Sequence, residues 1–358
     1  MNALENILKI KKTPSKKEST NKVLTQMELQ AILNNPPFNN EDLKCKFGNG
    51  TILRKSFERK KKNATLIDPV SHDIYFKKNT FSDDQLKNIK AADFWGFCNE
   101  NVTTKGYNFI TLGSVEVRME YSHDLLVPLT ELQGEIKSVG IKVFRLIYKI
   151  CEDRKRTQLP YNKIRKLIQI LLTSPSEVKD EFYLQMVKQL RSNPYSHNNM
   201  NEWTLFAIIS GFLTPGNSLF YHLHKYLFNV VQTSHSPEIR MWACYIMKRL
   251  FKTKENGDRT VLPCHVEIRA IEKRRQIPME IFYLNGASEI IYFESYTTVQ
   301  ELKNSIFEKY EFEIDYESCF GLYEICKKSD CNEENFVEDP IKVCSLYCIL
   351  IFWLSRIF

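Results

Sequence analysis

The chain has 358 residues, 43% of them apolar and 26% charged, material for two or three domains at roughly 100–200 residues each, with a real core. That balance excludes a disordered tail, a collagen-like repeat and a disulfide scaffold. The net charge of +7 conceals strong segregation: +8 over residues 1–62, −2 over 63–116, +10 over 117–275 and −9 over 276–358. A basic middle joined to an acidic end is the first indication about partners.

The ten cysteines form no paired framework. The closest spacings, Cys326-x4-Cys331 and Cys344-x3-Cys348, face no second pair. With no apolar leader pattern, the expectation is a cytosolic chain with reduced thiols. Residues 1–62 read as a basic disordered tail, in which Lys11-Lys12, Lys16-Lys17 and Arg59-Lys60-Lys61-Lys62 alternate with Asn, Ser, Thr and Pro. It is either a solvated linker or an electrostatic arm for an anionic membrane, a nucleic acid or an acidic filament. A short helix fits 25–33 and ends at Asn34-Asn35-Pro36-Pro37. Residues 63–81 are a linker with no clear structure.

From Ser82 the pattern becomes helical. Ser82-Asp83-Asp84-Gln85 forms a capping box, and Leu86, Ile89, Ala92, Phe94 and Phe97 follow at helical spacing. A loop with Gly106 and Gly113 leads into a stripe of Ile136, Val139, Val143, Leu146, Ile147 and Ile150, which predicts a helix over 131–151. Pro160 opens the next helix, through Ile164, Leu167, Ile168 and Leu171. Ser174-Pro175-Ser176-Glu177 predicts a capping box for a third, with Phe182, Met186 and Leu190 on one face and Ser192-Asn193-Pro194 as its stop. Residues 203–213 are nearly all apolar and predict a central buried helix. Helices over 218–232 and from Ser236-Pro237 onward complete a compact bundle with short connections.

At Pro278 the period changes from 3.6 to 2. Residues 279–284 and 289–293 predict strands joined at Asn285-Gly286, a type I′ hairpin signal. Thr298-Val299-Gln300-Glu301 caps a helix through Leu302, Ile306 and Tyr310, and 320–325 is another strand. The expected fold class is therefore mainly α: an all-helical bundle followed by a small α+β ubiquitin-like (β-grasp) lobe. The apolar run 343–358 is shorter than the roughly 20 residues a bilayer span needs. Residues 344–358 are expected to be an aberrant apolar tail; a membrane anchor and a strand completing the lobe are the alternatives.

Lys179-Asp180-Glu181-Phe182-Tyr183-Leu184-Gln185, then Lys188-Gln189, Trp203, Gly211-Phe212-Leu213-Thr214-Pro215, Tyr226-Leu227, Pro263 and Glu267-Ile268-Arg269-Ala270, together resemble the myosin tail homology 4 (MyTH4) domain. Tyr121-Ser122-His123-Asp124 resembles its opening segment, and 84–97 its preceding helix. Residues 281–324, including Phe320-Gly321-Leu322-Tyr323, resemble the first lobe of a FERM domain. The resemblance covers 82–343 and divides the chain into a MyTH4-like domain at 82–275, with its best-matched core at 121–271, and a FERM F1 lobe at 278–343, the FERM being incomplete. Within the superfamily it looks most like PH–MyTH4–FERM adaptors and next like unconventional myosin tails, although no motor or pleckstrin homology pattern is present. Lys179 stands where the family has Arg, and Glu202 where it has Gly or Ser.

The resemblance implies a non-enzymatic cytoskeletal adaptor or tail fragment in the cytoplasm, binding microtubules or another acidic cytoskeletal partner and a cargo or receptor tail. The alternative is a peripheral membrane scaffold using residues 1–62 against anionic lipid. No Walker loop, nucleophile elbow or zincin pattern occurs, and no cofactor or metal is expected. His222 and His224, two apart on a helix, point away from each other. Asp180, Glu181 and Gln185 are expected to tie helices together, with Trp203, Gly211 and Pro215 completing the structural signature. The aromatics fall at core spacing, which argues against specific nucleic-acid stacking. Candidate partner-binding residues form three basic groups: Lys155, Arg156, Lys163, Arg165 and Lys166; Lys248, Arg249, Lys252 and Lys254; and Arg274 and Arg275. Their charge suits an acidic filament, or the acidic lobe beside them.

Overall fold

The computed structural model of the chain describes residues 81–103, 115–152, 158–194, 200–283, 288–310, 320–327, 332–337 and 349–354. The basic tail, the linker before Phe81 and the short helix expected at 25–33 lie outside the described residues. The bundle consists of α1 (Asp83–Ala91), α2 (Phe94–Asn101), α3 (Val115–Arg118), α4 (Glu135–Cys151), α5 (Tyr161–Thr173), α6 (Ser176–Leu190), α7 (Asn201–Ser210), α8 (Asn217–Thr233), α9 (Pro237–Asn256) and α10 (His265–Glu272). The lobe follows as β1 (Ile277–Tyr283), β2 (Ser288–Phe293), α11 (Val299–Tyr310), β3 (Phe320–Lys327), β4 (Asn332–Val337) and β5 (Ile349–Leu354).

The single helix expected over 84–97 is two. Asp93 adopts an extended backbone, and its carboxylate caps Trp95 N–H at the start of α2; the break lets His222 of α8 hydrogen-bond the Asp93 backbone. Ser82 does form the predicted capping box with Gln85. The box predicted at Ser174 is absent: Pro175 is the N-cap of α6 without a side-chain cap bond, and the Ser174 hydroxyl instead donates back to Ile170 O at 2.6 Å. Proline's fixed φ starts the turn there without help.

Helix α7 is buried on nearly every side, as its apolar sequence demands. Around it the stripes of α4 (Val143, Phe144, Ile147), α5 (Ile164, Leu167, Ile168), α8 (Leu219, Leu223, Leu227) and α9 (Ala243, Ile246, Leu250) close one core. Helix α6 departs from the simple stripe: nearly all of Val178 to Gln189 is buried, polar residues included. Those polar groups must therefore find partners inside.

The lobe is a five-stranded mixed sheet in the order β2-β1-β5-β3-β4. Strand β1 pairs antiparallel with β2 and parallel with β5, while β5 also pairs antiparallel with β3. This is the β-grasp arrangement. It corrects the reading of 344–358 as an aberrant tail lying outside the lobe. Ile349–Leu354 is the central strand, bonded on both edges, and an apolar run without alternation is the pattern of such an interior strand. Asn285-Gly286 lies outside the described residues. The signal at Thr298 does form a cap, with Glu301 N donating to Thr298 Oγ1 at 3.2 Å and Thr298 N to Glu301 Oε2 at 3.1 Å.

Candidate functional site

The polar residues of α6 are occupied by the fold. Glu181, fully buried, accepts from Leu129 N (2.8 Å), Thr130 N (2.7 Å), Thr130 Oγ1 (2.6 Å) and Gln185 Nε2 (2.7 Å). Gln185 also donates to Gly140 O at 3.0 Å, reaching α4. Asp180 accepts from Gly216 N at 2.6 Å; burial raises its pKa, and that hydrogen bond opposes the rise. Lys179 pairs with Asp258 at 2.9 Å, whose other oxygen takes both donors of Thr214. Trp203 and Pro215 are buried. With four donors on it, the Glu181 carboxylate ties the 129–130 segment to α6 and, through Gln185, to α4, and has no oxygen left for acid–base chemistry.

The two histidines on α8 have separate surroundings. His222 lies against Asp93 and the Phe97 ring. His224 is buried between Phe220 O and Met247 O, and burial lowers its pKa to about 4.

The second basic group is a joint rather than a surface. Arg249 is fully buried: its Nε donates to Ala207 O at 2.8 Å and its Nη2 to Ser295 Oγ at 2.5 Å, while Nη1 lies 3.2 Å from Tyr245 Oη and 3.5 Å from Glu294 Oε2. The guanidinium thus fastens α7 and α9 to the segment after β2, and it is not a partner-binding residue. Burial pushes the Glu294 carboxyl up, and the charges of Arg249 and Lys248 pull it down. Beside it Lys252 pairs with Glu255 and Glu301, and Asn256 donates to Tyr296 O and Glu301 at 2.9 Å each. Lys254 is exposed and bonds Asn217. Gly211 explains the geometry, since a Cβ there would stand 1.9 Å from Arg249 Nη2 and 2.8 Å from Ser295 Oγ. Sequence reading missed Glu294 and Ser295; the paired signals that would have found them are the glycine at 211 and an arginine on the apolar stripe of α9.

The first basic group sits on a different footing. Lys142, Arg145 and Lys149 are exposed on successive turns of α4, Lys166 is exposed on α5, and Lys163 and Arg165 are half-buried. Lys163 Nζ donates to Lys149 O at 2.8 Å, drawing the start of α5 against the end of α4. None of Lys142, Arg145, Lys149 or Lys166 has an ion-pair partner among the described residues. Lys155 and Arg156 fall in the intervening 153–157 and lie outside the described residues. Arg274 and Arg275, half-buried, follow α10 at the entrance to β1.

Residues 164–270 match the family described as the MyTH4 domain. The chain is 27% identical over 148 residues to Myosin-VIIa of Drosophila melanogaster, covering 41% of this chain and 6% of that protein. It is 26% identical over 212 residues to Kinesin-like protein KIN-14E of Arabidopsis thaliana, covering 56% and 16%. Its fold matches the MyTH4-FERM MF1 domain of Dictyostelium discoideum Myosin VII, with a TM-score of 0.66 at 18% identity over 78% of this chain and 58% of that one. It also matches the human Myosin 7b C-terminal MyTH4-FERM domain, solved in complex with the harmonin-a PDZ3 domain, with a TM-score of 0.54 at 22% identity over 73% and 56%. A helical bundle joined to a β-grasp lobe is thus the fold this chain shares with those MyTH4-FERM structures. Residues 164–270 match the MyTH4 family model, and the lobe that follows them has a ubiquitin-like fold. It spans 6% to 16% of the length of these two relatives. No enzyme family is indicated.

Proposed function

We propose that the chain is a non-enzymatic tail module that binds an acidic cytoskeletal filament, microtubules first, through the α4–α5 face, and a partner tail through its remaining surface. The observation that carries this reading is the row of Lys142, Arg145 and Lys149 beside Lys166, exposed and without ion pairs among the described residues. Such a row attracts an acidic surface at long range and loses that attraction as salt rises. Similarity to a kinesin-like protein and to a myosin tail solved with harmonin supports a cytoskeletal setting and a protein partner.

Co-sedimentation of the full chain with microtubules at low and physiological salt tests the reading, beside K142E/R145E/K149E/K166E. Binding that falls with salt and disappears in this variant is expected. Absence of binding by the folded chain at low salt overturns it. Arg249 must be left intact in such a series, because reversing it would dismantle the joint. The anionic-membrane reading rests on the +8 charge of residues 1–62, and loss of vesicle flotation on their deletion is its test.

A further inference from the structure

Helix α10 ends in an unusual way. Lys273 is its C-cap, Arg275 N donates to Ala270 O and Arg274 N to Ile271 O, both at 2.8 Å. Those two bonds define a Schellman turn, in which the residue after the cap is left-handed and is usually glycine. Here that residue is Arg274, at φ 50. A side chain at this position costs backbone energy that glycine would avoid.

The turn lays that guanidinium over the indole of Trp242 on α9, 4.8 Å from the ring centroid. Trp242 is 3% exposed, yet among the described residues its Nε1–H has no acceptor, and neither have the buried Arg274 Nη1 and Arg275 Nε. Neither arginine has an ion-pair partner among the described residues: the acidic neighbour Glu272 is taken by Arg269 and by Leu159 N. Two arginines in one turn, each with a buried donor that has no acceptor among the described residues, and a third such donor on the indole beneath Arg274, form a half-made recognition site. Both arginines are half-buried and Lys273 is exposed, so the turn is reachable from solvent.

We propose that Arg274, seated against Trp242 where α10 hands over to β1, and Arg275 next to it in the turn bind a carboxylate of an acidic segment in a partner protein. A carboxylate offers paired acceptors to guanidinium donors, and arginine is the residue suited to that fork. The indole beneath gives a peptide's aliphatic stem an apolar contact that an inorganic anion cannot use.

The test is titration of the ¹⁵N-labelled full chain with a hexaglutamate peptide at low salt, following the indole N–H resonance of Trp242, assigned by its loss in W242F. A saturable shift is expected, with apparent affinity roughly tenfold weaker or worse in R274G and in R275Q. The glycine variant relieves the left-handed strain, so its urea midpoint should hold while binding falls; a merely structural arginine would show the reverse. Inorganic phosphate at matched ionic strength and the K142E/R145E/K149E variant are the controls, the variant titrating like wild type. An unmoved indole, undiminished binding by R274G, an equal response to phosphate, or loss of the shift in the α4 variant would each overturn the proposal.

Discussion

Two basic stretches of the bundle, on α4 and at the end of α9, look alike in sequence and are used in opposite ways. On α4, Val143, Phe144 and Ile147 occupy the inward stripe, and Lys142, Arg145 and Lys149 are left to solvent. Helix α9 packs against α7, α8 and the lobe together, so Arg249 meets a carboxylate and hydroxyls rather than water, and the half-buried Lys252 pairs with Glu255 and Glu301. A run of cations therefore reports charge, but the number of packed neighbours decides whether that charge recognises a partner or holds the molecule together.

The sharpest way to break this contrast is Arg249→Met. It leaves Ser295 Oγ without its guanidinium donor and Glu294 without its ion-pair partner, and truncating one member of a buried pair costs about 3–5 kcal/mol; urea unfolding should show it directly. Next comes Gly211→Ala, whose methyl must push Arg249 or Ser295 aside; overpacking of this kind costs about 1–3 kcal/mol. Combined with R249M it should cost much less than the two losses added, a non-additivity that a double-mutant cycle reads.

A buried lysine sharpens the contrast through pH. Lys188 Nζ donates to Arg118 O at 2.6 Å and Glu120 O at 2.5 Å. Burial, and then the Arg118 charge, lower its pKa from 10.5 to about 8. Between those values the unfolded chain binds more protons than the folded one, so stability rises with pH across that window. Wild type should thus gain on Lys188→Met as pH climbs from about 8 toward 10.5, read from urea midpoints; a constant difference would reject the buried-ammonium account. The smallest effect belongs to K142E/R145E/K149E/K166E, with each exposed site changing stability by no more than about 0.5 kcal/mol, although filament binding is lost.

Much of the fold was legible because its signals are local. The stripes on α4, α5, α8 and α9, the proline starts, the boxes at Ser82 and Thr298 and the change of period at Pro278 all follow from single-turn geometry. Where a local signal competed with tertiary packing it failed. At the break at Asp93 the backbone bonds His222, 129 residues away. Ser174 turned back to its own helix, and the apolar run 349–354, with no alternation to mark it, proved to be the centre of the sheet. At the candidate site the basic residues were visible, but their division into exposed and internal was not. The left-handed turn at Arg274 left no trace in the residue pattern either.

By itself the sequence determined the fold class, the order of bundle and lobe, and the charge each carries, because periodicity and composition act within a few residues. Only the tertiary structure decided which of those charges face water. Desolvation and pairing depend on what residues distant in the chain bring alongside: Ser295 to Arg249, Asp258 to Lys179, and Trp242 to Arg274.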